Sequence, residues 1–190
     1  MRKILITTLL LSSNLKADNN ISYSYLDFGL TSTVFNDTMG LPYDISVPGR
    51  YIKGSFDLSK TFYIGGYYKH KGNTSLSDTN NYGLFLGLHK NLTTQTDFYA
   101  ELDAARIDTN YGFDSNVYGL SAGSRTAFTE NFELISRLGY KYIHASSQGD
   151  VEVALTGLFK FNPSHAVFLE LEAYDDLDVV ERKLGYRFSF

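Results

Sequence analysis

Cysteine and tryptophan are absent from the 190 residues, and there are only three prolines and two methionines. Without cysteine the chain has no disulfide, no thiolate metal site and no N-terminal cysteine to carry a lipid anchor. No stretch approaches the eighteen consecutive apolar residues that a membrane-spanning helix requires. There is no basic run either, and the formal net charge is −4, which argues against a nucleic-acid partner. Aromatic residues are what the chain has in quantity. It carries 15 tyrosines and 14 phenylalanines, and so heavy a load needs a location.

Residues 1–17, "MRKILITTLLLSSNLKA", read as an export signal: Arg2 and Lys3 start it, Ile4 to Leu11 form the apolar run, and Ala17 is a small residue at the cut. Removing Arg2, Lys3 and Lys16 takes the formal charge from −4 to −7. Residues 18–190 form one domain, large enough to stand without covalent staples.

Along that domain the hydrophobic period is two almost everywhere, which predicts strands with unlike faces. Ten segments follow: 21–31, 49–57, 61–69, 80–89, 97–107, 117–127, 132–144, 150–161, 166–174 and 179–190. Most have the nine to eleven residues that a tilted strand needs to cross a bilayer. Short connections alternate with longer ones. The short set is 58–60, 90–96, 128–131 and 162–165, with Asn162-Pro163 as a turn signal. The longer set is headed by 32–48. An even strand count puts both ends on the short-turn side.

One parity is apolar from strand to strand, as in Tyr82, Leu84, Leu86, Leu88 or Val167, Leu169, Leu171. The other parity is charged. Period alone does not say which face is inside, since a soluble barrel and a membrane barrel are inverses of each other. The aromatics decide it. On the apolar parity Tyr68, Tyr82, Tyr118, Tyr140 and Tyr142 fall at the long-loop ends, and Phe62, Phe98, Phe132, Phe159, Phe161, Phe188 and Phe190 at the short-turn ends. Two belts around a Leu/Val/Ala band match two membrane interfaces. The fold class expected is therefore all-β: a ten-stranded antiparallel up-and-down transmembrane β-barrel.

The stretches "SYSYLDFGL", "TENFELISRLGYKY", "GLFKFNPSH" and the terminal "LGYRFSF" run in order through the whole domain. On these the chain resembles the small ten-stranded porin-like outer-membrane β-barrel proteins of Gram-negative bacteria. The resemblance implies a bacterial outer-membrane location with both termini periplasmic, and lipid and lipopolysaccharide as surroundings. It also implies handling by periplasmic chaperones and the outer-membrane assembly machinery, with Tyr186, Phe188 and Phe190 as the assembly signal. It identifies an architecture and no activity. Tyr23 and Tyr25 are out of phase with Leu26, Phe28 and Leu30, so a bulge near Tyr25 is expected to turn Asp27 inward.

The charged parity, assigned to the lumen, holds eight cations and eight acids. The cations are Lys53, Lys69, Arg125, Arg137, Lys141, Lys160, Lys183 and Arg187; the acids are Asp27, Glu101, Asp103, Glu133, Glu152, Glu170, Glu172 and Glu181. Hairpin pairing sets Lys141 near Glu152, Glu170 opposite Lys183, Arg125 diagonal to Glu101, and Glu172 opposite Glu181. That last pair reads as a cation or proton site, or else as a pairing in error by two residues of register, or as a pair with a third residue such as Lys183 alongside. In a barrel this narrow, matched long side chains should pair across the interior, giving a plugged or very narrow lumen. Arg50, Arg106 and Arg182 lie instead on the lipid-facing parity near the long loops, where a guanidinium meets lipopolysaccharide phosphate or simply snorkels.

No cofactor and no metal are expected, and a catalytic triad is weakly signalled. His144 has Ser146, Ser147 and Asp150 nearby, but neighbours in one loop seldom reach triad geometry. His70 and His144 are the remaining thought for a metal. The loop "STVFNDTMGLPYDISVP" carries Val34, Phe35, Met39, Leu41 and Tyr43 outside any strand, as a lid or a contact for an unknown cell-surface partner. The function expected is a structural or surface-interaction role. The alternatives are a small diffusion channel and, after it, a lipid-modifying or proteolytic enzyme.

Overall fold

The computed structural model describes residues 21–35, 45–72, 78–110, 112, 114–175 and 179–190; the expected export signal lies outside these residues. The period-two pattern resolves into ten strands. They are β1 (Tyr25–Phe35), β2 (Ile45–Asp57), β3 (Phe62–Lys71), β4 (Thr79–Asn91), β5 (Thr96–Thr109), β6 (Ser115–Ala127), β7 (Phe132–Ile143), β8 (Gln148–Asn162), β9 (His165–Tyr174) and β10 (Val179–Ser189). Each pairs antiparallel with its sequence neighbours, and β1 pairs with β10, so the sheet closes into a barrel. The terminal "LGYRFSF" lies in the closing strand, β10. Phe190 N–H donates to the Ser24 carbonyl at 3.1 Å, which ties the residue before β1 to the end of β10 at the short-turn side.

Closure follows from the solvent. In hydrocarbon no water is present to satisfy a free strand edge, so the ladder must return on itself. The outward parity is the apolar one: Leu84 is 68% exposed, and Leu102, Leu138 and Leu184 are each about as open. A water-soluble barrel would bury these residues. Tyr68, Tyr82, Tyr118 and Tyr140 face outward at one end, and Phe62, Phe98, Phe132, Phe159, Phe161, Phe188 and Phe190 at the other. The two belts are in place, and Tyr142 is half-buried in the first of them.

Two expectations about the first hairpin change. β1 and β2 extend past the segments expected for them, pairing up to Phe35↔Ile45, so Val34, Phe35 and Pro48 belong to strands and not to a loop. Pro48 lies beyond the β2–β3 ladder, which begins at Gly49↔Lys71, so its missing N–H costs that ladder nothing. Met39, Leu41 and Tyr43 lie outside the described residues. Nor is there a bulge at Tyr25: the register with both neighbours is unbroken. Tyr23 and Tyr25 are out of phase with Leu26 because they point inward with Asp27, all three being buried.

That inward turn is part of a wider arrangement. Tyr63, Phe85, Tyr99 and Phe168 are all buried inside the barrel, and each stands directly opposite a glycine, namely Gly87, Gly65, Gly123 and Gly185. The ring lies flat over the neighbouring strand where that glycine has no side chain, a cross-strand device that pins register. A Cβ on Gly87 would stand 2.1 Å from the Tyr63 ring. Gly87→Val should therefore destabilise the barrel by about 1–3 kcal/mol through overpacking. Gly54→Val, where the nearest atom is 3.7 Å away, should be much milder. Urea midpoints of the refolded barrel in micelles measure the difference, and equal midpoints would contradict the aromatic–glycine account.

Candidate functional site

With the apolar parity outward, the lumen receives the charges, and the strands bring them together in three groups. Near the long-loop end β3, β7, β8, β9 and β10 contribute a continuous network. Arg137 donates to Glu152 at 2.5 Å and to Glu172 at 3.3 Å. Lys141 Nζ stands 2.7 Å from Glu152 and 3.9 Å from Glu172. Lys183 donates to Glu170 at 2.6 Å and also to Glu172, and lies 3.5 Å from Glu181. Lys69 reaches across the interior from β3 to donate to Glu181 at 2.6 Å, with Lys71 on the same carboxylate. Glu152, Glu172 and Glu181 are each only 1% exposed, so every one of these carboxylates is desolvated and needs its cations.

Glu172 and Glu181 do stand opposite each other. Lys183, two residues further along β10, bridges the pair together with Lys69, Lys71, Arg137 and Lys141. The pair is saturated by the protein's own ammonium and guanidinium groups, which leaves no vacancy for a foreign cation there.

The second group lies lower, at the short-turn end. Arg187 grips Asp27 through two hydrogen bonds of 2.7 and 2.8 Å and lies 3.9 Å over the Tyr25 ring. Arg125 is not partnered by Glu101. The register sets Arg125 opposite Asp97 and Glu101 opposite Ser121, too far along the strand for a diagonal contact. Arg125 donates instead to Glu133 at 2.6 Å, and Lys160 holds the other oxygen at 2.9 Å. Glu101 accepts from the Tyr63 hydroxyl at 3.0 Å. The inward charge count also changes among the described residues: Asp57, Asp97 and Asp150 join the acids and Lys71 the cations, making eleven acids to nine cations. Asp57, Asp97 and Asp150 stand at the ends of segments already expected as strands, and Lys71 lies just past the end of one.

The third group is aromatic and was missed. The chain before β1, Ile21 to Ser24, crosses the mouth of the barrel. Tyr23 stacks on His89 of β4 at 4.0 Å and meets Tyr63 of β3 at 4.7 Å. Arg125 of β6 sits 4.5 Å over the same Tyr23 ring and donates to the Ser22 carbonyl at 2.9 Å. β6 lies five strands from β1 in a ring of ten, so the segment and the Arg125 side chain that meets it together link opposite sides of the opening. Ser24 secures its near side through Asp57, whose backbone N–H donates to the serine hydroxyl at 3.0 Å. The only sequence signal for this was the phase break at Tyr23 and Tyr25.

Among the described residues the lumen holds a cavity of about 110 Å³ between the N-terminal segment and the long-loop end, and a smaller one of about 40 Å³ below it. Lys53, Glu101, Arg137, Glu170 and Arg187 border both.

On the outer surface the three arginines differ. Arg106 is held by Asp108 at 2.6 Å and Asp114 at 3.1 Å, so its charge is already matched twice over. Arg50 and Arg182 are exposed and have no carboxylate within salt-bridge range among the described residues. They flank β1, Arg50 opposite Leu30 and Arg182 opposite Ser32. Tyr186 packs on Phe28 at 5.3 Å, and Phe188 and Phe190 stand outward at the rim. The serines near His144 do not form a triad: Ser146 donates to the Ile143 carbonyl, and Asp150 is buried on the inward face of β8. His70 is taken up by Asn80 at 3.0 Å.

No protein-family model matches the chain, and no curated protein does. Solved structures do match. An outer membrane channel from Pseudomonas putida F1 aligns with a TM-score of 0.56 at 10% identity, over 94% of this chain and 100% of that one. The beta domain of the Bordetella autotransporter BrkA gives 0.55 at 12% identity, over 90% and 100%. The KdgM porin in complex with disordered oligogalacturonate gives 0.50 at 14% identity, over 87% and 99%. At these identities the likeness is one of fold, and the fold is that of outer-membrane β-barrels.

Removing one cation from the upper network should be costly. Lys183→Met leaves Glu170, Glu172 and Glu181 short of a shared partner, and breaking a buried ion pair typically costs about 3–5 kcal/mol. Arg182→Met, one residue away on the outer face, should fall within about 0.5 kcal/mol. Equal effects on the urea midpoint would mean that the lumen charges are solvated and not load-carrying.

Proposed function

We infer that this protein is an outer-membrane barrel with a structural or cell-surface interaction role and a lumen closed to free diffusion. The observation that carries the reading is the segment from Ile21 to Ser24, which crosses the mouth beneath a charge network that narrows the upper lumen to a small cavity. The start of β1 and the end of β10 meet at the short-turn side, and we assign that side to the periplasm, as in barrels of this kind. The aromatic rim of Tyr186, Phe188 and Phe190 is the part we assign to recognition by the assembly machinery. Arg50 and Arg182, exposed and without acidic partners among the described residues, are the lipopolysaccharide contacts of this reading, and Arg106 is withdrawn from that role by its two aspartates. A small diffusion channel is the second reading, favoured by the residual cavity and by the channel and porin among the structural neighbours.

Planar-bilayer recording separates the two. The refolded protein should show no unitary steps, while Tyr23→Ala, which removes the ring spanning the mouth, should produce brief openings. Steady conductance in the unaltered protein would establish the channel. For the outer surface, Arg50→Ala combined with Arg182→Ala should abolish the extra thermal stability that lipopolysaccharide confers over phosphatidylcholine, and Arg106→Ala should leave it intact. An undiminished gain in the double variant would rule out the contact.

A further inference from the structure

The charge network leaves a remainder. Around the larger cavity, four polar atoms are buried without a hydrogen-bond partner among the described residues: Tyr51 Oη, Arg187 Nη1, Asn81 Oδ1 and Asp103 Oδ2. Two charged side chains of its lining, Lys53 and Asp103, make no salt bridge among the described residues; the opposite charges acting on them are Glu101 and Lys141. Arg187 is itself only 6% exposed, so its free Nη1 is a fully desolvated donor. Unpaired buried groups of this kind are rare and call for a partner.

The remainder is sorted by strand. Lys53 of β2 and Arg187 of β10 both stand opposite Asp27 of β1, and Tyr51 lies one inward position above Lys53. That wall offers donors. Asp103 of β5 and Asn81 of β4 form the facing wall, which offers acceptors. The walls approach each other at Phe85. The Lys53 ammonium sits 4.6 Å over the Phe85 ring, and Phe85 is the direct cross-strand neighbour of Asp103. Ammonium and carboxylate are therefore close but not paired, with the cavity between them. Its volume, about 110 Å³, corresponds to about four waters at roughly 30 Å³ each.

We propose that this cavity binds a small zwitterion carrying one carboxylate and one ammonium. The carboxylate takes Lys53 Nζ, Arg187 Nη1 and Tyr51 Oη, and the ammonium takes Asp103 Oδ2 and Asn81 Oδ1. Either half alone would leave polar atoms of the opposite wall buried without a hydrogen-bond partner, the costlier state. A site satisfied only by both charges discriminates against ligands bearing one. With the periplasmic mouth plugged, the site is a cup for capture and not a filter.

The test uses the refolded protein in micelles, with its fold checked by the mobility difference between unheated and boiled samples. Glycine, β-alanine and 4-aminobutyrate serve as probes with increasing charge separation; acetate and methylammonium are the single-charge controls. Titration calorimetry and saturation-transfer NMR should find at least one zwitterion binding at least tenfold tighter than either control. Asp103→Asn, which preserves shape, and Lys53→Met should each remove that preference while the barrel stays folded. Acetate or methylammonium binding as tightly as the best zwitterion would overturn the assignment in favour of a single-charge site. No saturable binding by any of the three zwitterions would show a cavity filled by water alone.

Discussion

Everything in this molecule depends on the ladder between β1 and β10. A sheet that faces hydrocarbon has no other way to satisfy its backbone, so the two terminal strands must meet along their whole length. They do so from Tyr25↔Ser189 to Phe35↔Val179. Closing the circle at ten strands fixes a narrow interior, and that narrowness sets the problem the side chains solve. Eleven acids and nine cations turned inward have too little water to hydrate them, so they hydrate one another.

The solution is layered by height. Upper carboxylates are shared among several cations, as Glu172 is among Lys183, Arg137 and Lys141. Lower down the groups are smaller, Arg187 with Asp27, and Arg125 and Lys160 with Glu133, and aromatic rings take the remaining volume. The rings fit because glycine stands opposite each of four of them. Glycine is a poor strand former, so its recurrence on inward positions records the packing need of the neighbouring strand. The N-terminal segment completes the lowest layer by laying Tyr23 against His89 and Arg125. Charge pairing, aromatic layer and the lie of the N-terminal segment thus answer to one diameter.

Two surfaces of the same strands obey opposite rules. Outward, apolar residues face lipid without needing any specific neighbour, so the pattern is regular and tolerant. Inward, each charged residue needs a particular partner, and a residue's meaning depends on strands far away in sequence, as with Lys69 and Glu181. Arg106 shows the same dependence on the outside, where position suggested a lipid contact and Asp108 and Asp114 claim the charge first.

Strand number, orientation of the faces, both aromatic belts and the opposition of Glu172 to Glu181 were legible in the sequence. They rest on period two, on tyrosine and phenylalanine sorted by height, and on counting back from short hairpins, all of which are local. The inward course of Tyr23 and Tyr25, the partner of Arg125, the aromatic layer and the seat of the N-terminal segment were not. Those depend on where the barrel closes and which strands face each other across the interior, five strands apart for the Ser22–Arg125 contact. Sequence determines a strand's two faces because neighbouring residues point opposite ways; only closure decides what each inward side chain meets, because the partner is set by the ring and not by the chain.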